Sequence, residues 1–166
     1  MAVPTVNTGN TTSFKLVFPL LPQTETLYDQ TNFSIGLIDT VLPSITLTEI
    51  EVPWLGGNVY YDGGGISYGG WAVNFIVDEN WSNYSIIYDW IMSIYDGYNR
   101  FGKDWKEYQV NASLIILDNY ESNEIISFNF QRLWPKALGE VTLSYREGDE
   151  ILTCGVEFVY DYFIKS

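Results

Sequence analysis

Residues 151–163, ILTCGVEFVYDYF, place Leu152, Cys154, Val156, Phe158 and Tyr160 on one side of an extended chain and Thr153, Gly155 and Glu157 on the other. Apolar residues on a helix recur every three or four positions, so a period of two held this long marks a strand with one buried face. The pattern repeats along the chain. SFKLVF (13–18) groups Phe14, Leu16 and Phe18, with Pro19 and Pro22 expected to end the strand, and WAVNFIV (71–77) groups Trp71, Val73, Phe75 and Val77. Further extended runs are expected at 33–38, 46–52, 109–118, 124–130 and 140–146, with DNYESN, RLWPKALG and EGDE as the turns between the later ones. In TLTEIEV (46–52), Leu47, Ile50 and Val52 do not alternate strictly, which a β-bulge near Glu49 would explain. The fold class that follows is mainly β: an antiparallel β-sandwich or barrel with one flanking α-helix.

That helix is expected over residues 81–96, with Asn80 as N-cap, Asp78 and Glu79 at the positive end of the dipole and Gly97 as terminator. Tyr84, Ile87, Tyr88, Ile91 and Tyr95 have the spacing of a core-facing stripe. Ile86, Trp90 and Ile94 widen the apolar arc until only a strip of Ser82, Ser85, Asp89, Ser93 and Asp96 stays polar. A helix covering one sheet needs an arc of little more than ~100°. The surplus side, Ile86, Trp90 and Ile94, is therefore a candidate contact with another copy.

Two other segments look outward. Residues 54–70, WLGGNVYYDGGGISYGG, mix glycines with Trp54, Leu55, Val59, Tyr60, Tyr61 and Tyr68. Exposed aromatics make poor loop tips in an isolated monomer, so the segment reads as a long flexible hairpin that docks onto something, or else as a loop packed on the core. Arg100, Lys103 and Lys106 form a basic island on an acidic chain. It is either a solvated loop offsetting Asp104 and Glu107 or a complementary contact for the acidic face of a neighbouring copy.

Residues 1–12, MAVPTVNTGNTT, are small and polar and are expected to form an N-terminal arm, leaving 13–166 as a single folded domain. With 166 residues, 46% of them hydrophobic, the chain can be stable without a disulfide. Cys154 then reads as a small buried hydrophobe rather than a nucleophile.

Composition narrows the chemistry. The 21 acidic and 8 basic residues leave a formal charge of -13, which opposes gripping nucleic-acid phosphates. Histidine is absent, which removes the commonest general base and metal ligand. Carboxylate pairs exist at Asp78 and Glu79, at Glu49 and Glu51, and at Glu147, Asp149 and Glu150, as any acidic protein would produce. The first reads as helix capping and the last as a hairpin turn, while GGGISYGG lacks the lysine of a phosphate loop. No catalytic residue, cofactor or metal ligand is assigned, and the chain is not expected to be an enzyme. The N-terminus does not read as a signal peptide and no apolar run approaches the ~20 residues of a spanning helix, so a soluble protein in a cytoplasm, without a membrane anchor, is expected. The 6 Trp, 13 Tyr and 9 Phe also admit a carbohydrate-binding module that stacks sugars on exposed rings. Against that reading, Trp71, Trp90 and Tyr160 fall on core-type positions.

The C-terminal third carries a more specific signal. Leu133-Trp134-Pro135, then Leu138-Gly139-Glu140-Val141-Thr142-Leu143, Glu150-Ile151 and Val159-Tyr160-Asp161-Tyr162-Phe163 resemble the closing segment of tail tube proteins of contractile-tailed bacteriophages. Upstream, Leu42-Pro43, the strand from Trp71 to Glu79 and a helix containing Trp90 resemble the same family in order and spacing.

The resemblance implies two packed β-sheets with a flanking helix and a long loop, here 54–70, that reaches a neighbouring ring. It implies a structural virion protein that forms stacked hexameric rings, the inner tail tube that conducts DNA into the host. Its partners would be further copies of itself, the tail sheath protein, and baseplate and tail terminator proteins, with DNA passing an acidic lumen without specific binding. Synthesis would be in the host cytoplasm and the final location the virion tail. A baseplate tube-initiator and the inner tube of a phage-like or type VI injection system share the fold. The tube proper is favoured because the chain is one minimal domain.

Overall fold

The computed structural model describes residues 13–18, 36–95, 104–118, 120, 123–144 and 151–166. The N-terminal arm, residues 33–35 of the run expected at 33–38, Arg100, Lys103, the expected helix terminator and the EGDE turn lie outside these residues. In chain order the elements are β1 (Phe14–Val17), β2 (Leu37–Thr40), β3 (Ile45–Trp54), β4 (Gly57–Tyr68), β5 (Trp71–Ile76), α1 (Ser82–Ile94), α2 (Trp105–Tyr108), β6 (Val110–Leu117), β7 (Glu124–Leu138), β8 (Thr153–Val159) and β9 (Tyr162–Lys165). All strand pairs are antiparallel, as expected.

The main sheet runs β1-β6-β7-β8-β5-β2, with β9 also on β7. Its organiser is β7, whose 15 residues serve three partners. Its first half pairs with β6 and β9 (Phe130 opposite Phe163, Gln131 opposite Tyr162), and its second half pairs with β8 (Trp134 opposite Val159). Between the halves Arg132 takes a left-handed backbone with φ 56. The same corner interrupts the opposing strand: the run expected over 151–163 breaks at Tyr160 and Asp161, and Asp161 N donates to Gln131 O at 3.1 Å. An Arg132–Asp161 ion pair closes the corner. One sheet thus folds over into two packed halves.

Two expectations fail here. RLWPKALG is no turn but the second half of β7, where Pro135 lies beside a register shift that accommodates its missing N–H. The strand expected at 140–146 does not form over its described part, 140–144.

The core lies between the sheet halves and α1. It contains Leu16 and Phe18, Trp71, Val73, Phe75 and Val77, Phe130 and Leu133, and Cys154, Val156 and Phe158. Burial pushes the Cys154 thiol pKa up, partly offset by a backbone contact with Gly139, in keeping with an inert apolar role.

The N-cap of α1 is Trp81, at φ 57, rather than Asn80. Asp78 and Asn83 instead exchange hydrogen bonds: Asp78 N donates to Asn83 Oδ1 at 3.3 Å and Asn83 N donates to Asp78 Oδ1 at 3.4 Å. The helix turns Ile86, Ile87 and Trp90 inward, while Tyr88 and Tyr95 of the expected core stripe are exposed together with Met92. Trp90 explains the rotation. Its indole is 1% exposed, and it is satisfied by donating Nε1–H to Tyr108 O at 2.8 Å.

Candidate functional site

Residues 45–68, expected in part as a flexible loop, form a two-stranded ribbon of β3 and β4 outside the main sheet. Every residue of β3 is exposed, as is nearly all of β4. At about 3.3 Å per residue the strands of β3 length extend roughly 33 Å. An isolated two-stranded hairpin is marginally stable in water, yet this one holds Trp54 at 65% and Leu55 at 93% exposure.

Register divides the distal half into two faces. Ile50 lies opposite Tyr61 and Val52 opposite Val59, with Trp54 following on the same side. Glu49 lies opposite Asp62 and Glu51 opposite Tyr60 on the other side, where Asn58 Nδ2 donates to Glu51. One face is apolar and the other acidic, and the ribbon contains no Lys or Arg. The tip is a two-residue turn with positive φ at Leu55 (44) and Gly56 (84), the hand that matches strand twist.

The bulge expected near Glu49 is present between Leu47 and Glu49. Thr48 there faces Gly63, Gly64 and Gly65. Gly65 N donates to Thr48 Oγ1 at 3.0 Å, Thr48 Oγ1 donates to Gly65 O at 3.2 Å, and Gly64 N donates to Asp62 Oδ1 at 2.8 Å. A Cβ on Gly63 or Gly65 would fall 2.8 or 2.7 Å from Thr48 Oγ1. Gly63 and Gly65 thus serve close strand approach rather than loop flexibility, while Gly64 supplies a left-handed φ of 71 at the bulge.

At the root, Gly69 N donates to Ser44 O at 2.9 Å and Tyr160 Oη donates to Gly69 O at 2.7 Å. Burial, reinforced by neighbouring Tyr68, pushes the Tyr160 phenol up to about 12, so it remains a donor at neutral pH.

Of the residues singled out by sequence, Trp54, Leu55, Val59, Tyr60 and Tyr61 fall together on the distal ribbon, exposed. Tyr68 sits at the root, half-buried, with its ring 6.2 Å from Tyr160 and 5.4 Å from Phe163. Ile86 and Trp90 belong to this chain's own core and Ile94 packs against it, which leaves Ile86 and Trp90 no surface for another copy. Lys106 is exposed on α2. Sequence reasoning missed Ile45, Leu47, Ile50, Val52 and Ile66, all exposed on the ribbon. The broken alternation of 46–52 was their signal. The Glu49 and Glu51 pair lies on an exposed ribbon face rather than in a cleft. Among the described residues no group of three or more His, Cys, Asp or Glu is placed to hold a metal, and no helix is long and apolar enough to cross a membrane.

A β body that sends out an apolar-faced ribbon has the build of a structural protein. The family model described as phage tail tube protein matches residues 11–166. The chain belongs to that family. It is 29% identical over 164 residues to the tail tube terminator protein of Enterobacteria phage T4, covering 95% of this chain and 88% of the relative. Its fold superposes on the tube terminating cap of the anti-feeding prophage with a TM-score of 0.72 at 13% identity, covering 100% of this chain and 95% of that one. The sheath–tube complex of the extracellular contractile injection system PVC gives a TM-score of 0.69 at 12% identity, covering 98% and 93%.

Proposed function

We propose that this chain is the terminator of a tail tube in a contractile phage or injection system, and that it seats on the last tube ring through the β3–β4 ribbon. The sequence reading favoured the tube itself and counted a terminator among its partners. The T4 relative and the anti-feeding prophage structure, both named for tube termination, favour the terminator instead. The observation that carries the docking role is the exposed apolar face of Ile50, Val52, Trp54, Val59 and Tyr61 on a ribbon that none of the described elements covers.

In this reading six copies close a ring, which removes free sheet edges by pairing them between subunits. The apolar ribbon face lies on the tube ring, and the sheath meets the assembly from outside. A charge of -13 per copy keeps the passage from holding DNA phosphates, so DNA leaves without specific binding. The role is mechanical and needs no catalysis or cofactor. Its place is the virion tail, after synthesis in the host cytoplasm.

The test is negative-stain electron microscopy with light scattering, on the protein alone and with preformed tubes. Rings alone, and caps at one tube end that stop further growth, are expected. Long tubes formed by the protein alone would make it the tube subunit, and a monomer that ignores tubes would remove it from tail assembly.

A further inference from the structure

We infer that Tyr160 is a positioning residue that sets the angle at which the β3–β4 ribbon leaves the body. The inference rests on the ribbon being the docking element. Both legs of the ribbon meet at one short chain of hydrogen bonds: Tyr160 Oη donates to Gly69 O at 2.7 Å, and Gly69 N donates to Ser44 O at 2.9 Å. Ser44 immediately precedes β3 and Gly69 immediately follows β4. A Cβ on Gly69 would meet Ser44 Oγ at 2.8 Å and Ser44 N at 3.3 Å, so a side chain at that position would have to displace the Ser44 hydroxyl and press on the facing leg.

Tyr160 occupies the break between β8 and β9 and lies in neither strand. Its ring is gripped by the body, with Phe130 at 5.0 Å and an interplanar angle of 84°, while Tyr68 at the end of β4 packs on it from the ribbon side at 6.2 Å. The side chain thus joins the ribbon root to the buried rings of Phe130 and, behind it, Trp71. Geometry magnifies the effect of this clamp, since a 10° swing at the root moves the end of a ~33 Å ribbon by roughly 6 Å. Apolar contact needs atoms within about 4.5 Å. A ribbon free to swing by that amount presents Trp54 to its receptor only part of the time.

Tyr160→Phe keeps the ring and removes the one hydroxyl. In a Cys154→Ala background, nitroxides at N58C on the ribbon and E124C on the body report the root angle by electron–electron spin resonance. The parent gives one narrow distance distribution, and Tyr160→Phe widens it about twofold. Hydrogen exchange at the Gly69 amide rises about fivefold, the scale of one neutral hydrogen bond, while Val73 and Val156 in the sheet keep their protection. Tyr68→Leu, which removes the ring on the ribbon side, gives the same widening. An unchanged distribution in both variants overturns the inference. So does a rise in exchange across the whole core, which would make Tyr160 only a packing residue. Docking itself is judged separately by Trp54→Ala. If that variant still caps tubes normally, the docking reading fails while the Tyr160 measurement stands.

Discussion

Trp71 and Phe130 stack face to face, with ring centroids 4.0 Å apart and planes 4° from parallel. Trp71 comes from β5 and Phe130 from the half of β7 that pairs with β6 and β9, so the stack ties the two halves of the folded sheet together. Trp71 also donates Nε1–H to Thr40 Oγ1 at 2.8 Å, holding β2 at the edge. Trp71→Ala is expected to cost about 3–5 kcal/mol, a large part of the roughly 5–15 kcal/mol that holds a typical domain. Trp71→Phe keeps most of the ring contact and loses about 1 kcal/mol with the hydrogen bond. Urea unfolding checks both, and a Trp71→Ala midpoint near that of the parent would remove the stack from its central place.

Gly65→Ala tests the ribbon's bulge. The added Cβ would lie 2.7 Å from Thr48 Oγ1 but 3.6 Å from Thr48 Cβ, so the clash belongs to the threonine's outer atoms. The single variant is expected to disturb amide shifts over residues 45–68 and leave β5 and β8 unchanged. Adding Thr48→Ala relieves the clash, and the pair should be non-additive by about 1 kcal/mol or more in a double-mutant cycle. Strict additivity would mean that the glycines do not answer to Thr48.

These two sites show what the sequence could reveal. Trp71, Val73 and Phe75 were legible because one face of β5 is buried throughout, and alternation then has a single meaning. The broken period at Leu47 and Ile50 likewise announced a bulge. Gly63 and Gly65 misled, since glycine lowers strand preference and its value here lies in a close approach to Thr48 on the opposite strand. Pro135 misled in the same way, because a turn residue can sit in a long strand where the register slips. The helix face depended on where Trp90 finds the carbonyl of Tyr108, a partner 18 positions along the chain. For the candidate site, Trp54 and Tyr61 were recognisable as outward-facing, but pairing each with its cross-strand neighbour required the register.

Leu55 predicts a trade between stability and docking. It holds φ 44 in the tip turn, a conformation that costs a leucine roughly 1–2 kcal/mol and suits asparagine or glycine. Leu55→Asn should therefore order the ribbon, slowing hydrogen exchange at its tip, while removing the apolar side chain that is 93% exposed. Capture of preformed tubes should weaken about tenfold, the loss expected from about 1.4 kcal/mol of apolar contact. Tighter capture by Leu55→Asn would contradict a docking tip.

Alkaline pH isolates the root of the ribbon. Burial raises the Tyr160 phenol from the ordinary value near 10 to about 12 in the folded chain. Above pH ~10 the unfolded chain releases this proton while the folded chain keeps it, so unfolding becomes easier as pH rises. The contribution is complete below pH ~10 and is lost as pH approaches ~12. Tyr160→Phe lacks it, so the stability gap between parent and variant should narrow across that window. A gap independent of pH would show that the folded chain does not hold the phenol proton more tightly than the unfolded one.

Salt separates contact between copies from contact with a receptor of opposite charge. Each copy carries a formal charge of -13, so the proposed ring closure would bring like charges together. Raising salt from 0.1 to 1 M shortens the screening length from about 10 to about 3 Å and should increase the ring population in light scattering. The ribbon's acidic face, with Glu49, Glu51 and Asp62, predicts the opposite trend wherever its receptor is rimmed by cations. Tube capture that weakens with salt while ring closure strengthens would assign the ribbon to a receptor other than this chain. If both strengthen, the apolar face carries docking and the carboxylates lie away from the contact.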